Sequence, residues 1–221
     1  MFNCNWWKQA NNHVPYRSKI VPIIFYSDAT TLDHFGKSSR HPIFITIGNI
    51  PANLRNKPES KALVGLIPIL GGSKQKKETK EFREAIRITF HKCFEILLAP
   101  IRSQEQIGIQ LKVGNSYIWC TMMVAMILGD WPENGKYCLT YGGSSCQNPC
   151  HSCLVNRNNL NKINLTTEEM LSRTQQNMQV AINSGFTKEY SIHEQINAFW
   201  NLLYVFLIIY FSFLIIITIV Y

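Results

Sequence analysis

Three short apolar runs, rich in branched and aromatic side chains, open the pattern of the chain: Val21 to Tyr26, Ile43 to Ile47 and Leu63 to Leu70. Runs of this length and composition suit buried strands. Turn formers bound them, at Gly36-Lys37-Ser38-Ser39, at Asn53 to Pro58 and at Gly71-Gly72-Ser73. From Thr79 to Ala99 the period changes. Phe82, Ile86, Phe90, Phe94 and Leu97 recur at helical spacing while Lys80, Arg83, Arg87 and His91 fall on another face, which predicts an amphipathic helix closed by Pro100.

Ile107 to Val113 alternates as a strand does, and Met122 to Leu128 is an unbroken apolar run that delivers Asp130 at its end. Three strands, a helix and a later strand make an α/β order. The first twenty residues, with Trp6, Trp7 and Asn11-Asn12, have no clean period and read as a loop or short helix. Asn156 to Asn164 is polar and loop-like. Thr166 or Thr167 then caps a predicted packing helix through Met170, Leu171, Met178 and Ala181, ended by Gly185. Leu202 to Tyr221 has no charged residue and little that is polar beyond Ser212 and Thr218. Its length matches the ~20 residues that cross a hydrocarbon core, so a transmembrane helix is the expectation and a buried core helix the alternative.

Composition narrows the picture. A chain of 221 residues forms one well-buried domain with a small appendage, which excludes two full catalytic domains. Lys and Arg number 22 against 14 Asp and Glu, a net charge of +8 that attracts phosphate backbones or anionic lipid. Seven cysteines, an odd number, without a secretory leader pattern, point to a reducing compartment and to metal binding over a disulfide framework.

Three constellations carry candidate chemistry. Asp28 and Asp130 each follow a predicted strand, and if those strands are neighbours the two carboxylates meet; Mg²⁺ between them would suit two-metal phosphodiester chemistry. The plain structural alternative is an Asx turn at Asp28 and a turn start at Asp130. Glu133, three residues on and beyond Pro132, is expected to point elsewhere. Cys138, Cys146, Cys150 and Cys153 have the tight spacing of a zinc knuckle, with His151 a substitute ligand if Cys138 does not reach; free thiols are the alternative. Lys74, Lys76, Lys77, Lys80, Arg83 and Arg87 form a basic stretch that either contacts phosphates or is a solvated face.

Val21 to Asp33 resembles the opening strand and acidic turn of Plavaka-type DDE transposases, relatives of the Kyakuja-Dileera-Zisupton group. His41 to Pro51, Arg55 to Pro58, Leu63 to Pro68, Leu128 to Glu133 and Pro149 to Leu154 continue the resemblance in order, over roughly Pro22 to Trp200. It implies an RNase H-like core with Asp28 as first acidic metal ligand and Asp130 as second, and a zinc-binding insertion after the second acid. The family continues past Asn197 to Trp200 into a further acidic, histidine-bearing stretch, where this chain turns to Leu203-Tyr204-Val205-Phe206-Leu207.

The resulting expectation is an α/β protein with a partial RNase H-like mixed sheet, packing helices, a small cysteine-rich insertion and a C-terminal apolar helix. Its parts are an N-terminal extension (1–20), the core (21–135), the zinc knuckle (136–160), a helical segment (161–200) and the tail (201–221). Functionally it reads as a truncated, transposase-derived protein without activity, whose ancestor cut and joined DNA with Mg²⁺. The alternatives are a non-catalytic nucleic-acid-binding module and a tail-anchored membrane protein. Its partners would be DNA and, through Leu202 to Tyr221, a membrane, with a cytosolic N-terminal domain; a nuclear location is expected if the tail is not genuine coding sequence.

Overall fold

The computed structural model describes residues 4–31, 39–105, 107–142, 146–166, 168–200 and 202. The elements are α1 (Asn5–Asn11), β1 (Lys19–Ser27), β2 (Thr30–Thr31), β3 (Ser39–Arg40), β4 (Pro42–Ile47), α2 (Ala52–Arg55), β5 (Ala62–Leu66), α3 (Lys74–Lys77), α4 (Lys80–Gln104), β6 (Ile109–Val113), β7 (Ser116–Leu128), α5 (Trp131–Cys138) and α6 (Gln175–Asn183). Five strands form one mixed sheet in the order β5-β4-β1-β7-β6. Only the β1–β7 pair is parallel; β4 on β1, β5 on β4 and β6 on β7 are antiparallel.

The pairing of β1 with β7 decides where the acidic turns arrive. It begins with Lys19 opposite Cys120 and ends with Tyr26 opposite Leu128, shifting by one residue between Ile23 and Ile24. Ala125 is the extra residue on β7. A one-residue shift exchanges the faces of every side chain beyond it, so the bulge sets Asp130 level with Asp28 and on the same side of the sheet.

Helix α4 packs on the sheet through Phe90, Phe94, Leu98 and Ile101, all buried, and Phe25, Ile127, Tyr137 and Phe199 complete this core. Ile86, assigned to the apolar stripe from its spacing, is exposed, and His91, assigned to the polar face, is buried. His91 accepts the Ala198 backbone N–H at Nδ1 (3.1 Å) and donates from Nε2 to the Lys136 carbonyl (3.1 Å), so it joins α4 to two later segments. Pro100 does not close the helix. It is exposed and lies inside α4, where Ile101 in the core and a bond from Arg102 to the Ala198 carbonyl hold the last turn in place.

A second core gathers Trp6, Ala10, Ile20, Met123 and Ala125, so α1 packs against β1 and β7. Beyond the cysteines, Thr166 and Glu169 cap each other reciprocally, yet only a turn follows. The helix expected there is α6, capped by Thr174 and Asn177, with Met178 and Ala181 buried but Met170 and Leu171 exposed outside it. Leu202 is buried in the main core. The rest of the apolar tail, through Tyr221, lies outside the described residues, and among the described residues no helix is long and apolar enough to cross a membrane.

Candidate active site

Asp28 leaves the end of β1 and Asp130 the end of β7. Asp130 is the N-cap of α5: its Oδ1 accepts the Glu133 backbone N–H at 2.8 Å, and Pro132 occupies the first turn, where a missing N–H costs nothing. Glu133 sits one turn into the helix and folds back over Gly129. It does not point away: it is 1% exposed, and one oxygen each of Asp28, Asp130 and Glu133 lie within 4.8 Å of one another. Gly129 permits this, because a Cβ there would come within 2.9 Å of the Glu133 Cβ and of the Tyr137 ring.

Two side chains hold Glu133. Its Oε1 faces His41 Nε2 at 2.7 Å and its Oε2 accepts from Lys136 Nζ at 2.6 Å. Burial pushes the carboxyl up, but the His41 and Lys136 hydrogen bonds and the Lys136 charge outweigh it and leave the group below its ordinary value. Tyr26 is raised by burial and by the charges of Asp28 and Asp130, and its hydroxyl is hydrogen-bonded to Asp28. Tyr137, raised by burial and by Glu133, donates to the Ser27 carbonyl at 3.2 Å, fixing the end of β1. Three carboxylates are thus gathered at one end of a parallel strand pair, with an oxygen-only donor set that suits Mg²⁺.

Cys138 ends α5, and burial raises its thiol to about 12. Cys150 and Cys153 share a hydrogen bond that lowers Cys150 and raises Cys153, and Cys146 donates to the Tyr141 carbonyl at 3.4 Å. Tetrahedral zinc with Zn–S bonds of ~2.3 Å needs sulfurs roughly 3.8 Å apart; among the described residues no three of these sulfurs lie within 4.8 Å of one another. Arg173 is the buried organiser here, donating to the carbonyls of Cys150 (2.7 Å), Tyr190 (2.6 Å) and Asn148 (2.8 Å). The basic stretch divides: Lys74, Lys76 and Lys77 are exposed on α3 and Lys80 opens α4, whereas Arg83 and Arg87, further along α4, line clefts beside α5 and the cysteine segment.

A sequence model of the Plavaka transposase family matches residues 1–212. The chain belongs to that family. The match begins before β1 and runs beyond Trp200 into the apolar stretch. No curated protein and no solved structure matches the chain. Membership in the Plavaka family implies a DNA-acting ancestry. Within this Plavaka chain, reading the sequence missed His41, Tyr26, Lys136 and Arg173. One signal was available for Glu133: Asp130-x-x-Glu133 with a proline between is a helix-start pattern that puts both side chains at one helix end.

Proposed function

We propose that the chain is a metal-dependent, DNA-acting core on an RNase H-like sheet, with Asp28, Asp130 and Glu133 as ligands of divalent cations. The observation that carries this reading is the approach of three carboxylates to within 4.8 Å at the ends of two parallel strands. Like charges that close are costly unless a cation lies among them. Mg²⁺ held there would activate the attacking oxygen and stabilise the leaving oxygen at a phosphodiester. The chain's own residues prepare the place: His41 and Lys136 keep Glu133 ionised, and Tyr26 orients Asp28. The expectation of inactivity rested on a missing third carboxylate, and Glu133 removes that ground.

The test is nicking of supercoiled DNA by the full chain with and without Mg²⁺, beside Asp28→Asn. Cation-dependent nicking lost in the variant is the expected result. Equal background cleavage by both proteins sinks the catalytic reading, and salt-sensitive DNA retention without nicking would then favour a binding module.

Zinc on Cys138, Cys146, Cys150 and Cys153 belongs to the same proposal. It is supported by the Cys150-x-x-Cys153 spacing and by Arg173, whose charge would offset the thiolates that all four cysteines supply around it. Binding would have to draw the sulfurs closer. About one zinc per purified chain, lost in Cys150→Ser, is expected; metal-free, folded protein argues against it. A membrane span at the tail rests on composition alone, and recovery of the full chain in the soluble fraction counts against it.

A further inference from the structure

Beside α5 lies a cleft of about 290 Å³ whose walls include Arg87, Trp131, Lys136, Tyr141, His151 and His193. This is the lower end of the size of small-ligand pockets, roughly 300–1,000 Å³, and suits one planar ring system with its attached phosphate. Two aromatic pairs line it: Trp131 lies against His151 with ring centroids 4.6 Å apart, and Tyr141 lies against His193 at 4.6 Å. Trp131 is 46% exposed, so its ring offers stacking surface.

His151 supports the Trp131 ring from the protein side. It is 2% exposed, and neither ring nitrogen has a hydrogen-bond partner. Both ring nitrogens are shut away from solvent, so His151 packs against the Trp131 ring and offers no polar edge to the cleft.

Charge and position select the ligand. Arg87 and Lys136 make the cleft cationic, and a wider neighbouring cleft of about 640 Å³ shares Arg87, Tyr141 and His193 while adding Arg83 and Lys188. Cationic grooves interleaved with aromatic rings track single strands, phosphates on the cations and bases on the rings. Lys136 also touches Glu133 at 2.6 Å, and Trp131 directly follows Asp130, so the cleft shares a wall with the carboxylate cluster.

We infer that this cleft receives one unpaired nucleotide of a DNA strand, its base stacked on Trp131, while the adjoining strand runs over Arg83, Arg87 and Lys188. The inference deepens the DNA-acting reading and rests on it. An unpaired or extruded base costs least to accommodate where pairing is already lost, which makes strand ends and overhangs the preferred substrates.

The experiment uses the full chain without added Mg²⁺ or Mn²⁺, so that it stands apart from any nicking that depends on them. The probe is a duplex with a 2-aminopurine in a short 3′ overhang, compared with the same duplex made blunt. Wild-type protein should bind the overhang about tenfold or more tighter, as a base–aromatic stack allows, and quench the 2-aminopurine. Trp131→Ala, at an exposed side chain, should abolish both the preference and the quenching, whereas Lys188→Ala should weaken both duplexes equally. Equal affinity of wild-type protein for both duplexes, or a preference untouched by Trp131→Ala, overturns the inference. Nicking without overhang preference sinks only the cleft; preference without nicking sinks only the cation site.

Discussion

Glu133 has two neighbours that set its charge, and they act on opposite oxygens. His41 is buried with it, whereas Lys136 reaches it from a side chain that is 42% exposed. The ammonium therefore occupies the position of a counter-ion and competes with any divalent cation, while an exposed partner contributes at most about 1 kcal/mol to stability. Lys136→Met should tighten Mn²⁺ binding about five- to tenfold, since one positive charge is removed from beside a ligand, and Glu133→Gln should weaken it by a similar or larger factor. Calorimetric titration of Mn²⁺ checks both. Weaker binding in Lys136→Met would mean that the lysine positions Glu133 and does not compete for it. At this scale Asp28 and Asp130 were legible as acids after apolar runs, but Glu133 was not, because its direction depends on a close approach to Gly129 that residue spacing does not encode.

Among the elements, strands that are apolar on both faces could be read, while pairings between them could not. Met122 to Leu128 was visible as an unbroken run, yet β7 begins at Ser116, because Ser116 to Trp119 is the half-exposed arm of a hairpin with β6 turned by Gly114 (φ +61°) and Asn115. The bulge at Ala125 has no local signature, and the convergence of the acidic turns follows from it. Helix α5 is then held against the sheet at Gly129. Gly129→Ala should cost on the order of 1–3 kcal/mol through overpacking against Glu133 and Tyr137, seen as a lowered urea midpoint at unchanged slope. The segment after α5 has another anchor. Arg173→Ala leaves three carbonyls without their donor and should cost on the order of 3 kcal/mol or more; early proteolytic cleavage between residues 146 and 174 would report it. Arg173→Lys should not rescue, because an ammonium cannot span the carbonyls that the guanidinium fork reaches.

Across the whole molecule, His91 connects what the sheet alone does not: α4, the end of α5 through the Lys136 carbonyl, and the Asn197 to Phe199 segment through the Ala198 N–H. Its Nδ1 accepts and its Nε2 donates, so the ring is neutral in the folded protein, and burial lowers it to about 4 from the ordinary ~6.5. A proton added to Nδ1 would face the Ala198 N–H. The unfolded chain takes up that proton as pH falls below about 6.5 and the folded chain only near 4, so the unfolded state binds more protons throughout this window and stability falls with pH. His151 and His193, both lowered to about 4 by burial and by the charges of Arg173 and Arg87 respectively, add in the same direction. For His91 alone the loss by pH 4 is on the order of 3 kcal/mol. Urea unfolding at several pH values should therefore give a midpoint that declines between pH 6.5 and 4. In His91→Gln, whose amide can both donate and accept but does not titrate, the decline should be shallower even if the midpoint at pH 7 is lower. An identical pH slope in the two proteins would show that His91 is not the neutral link between these three parts of the fold.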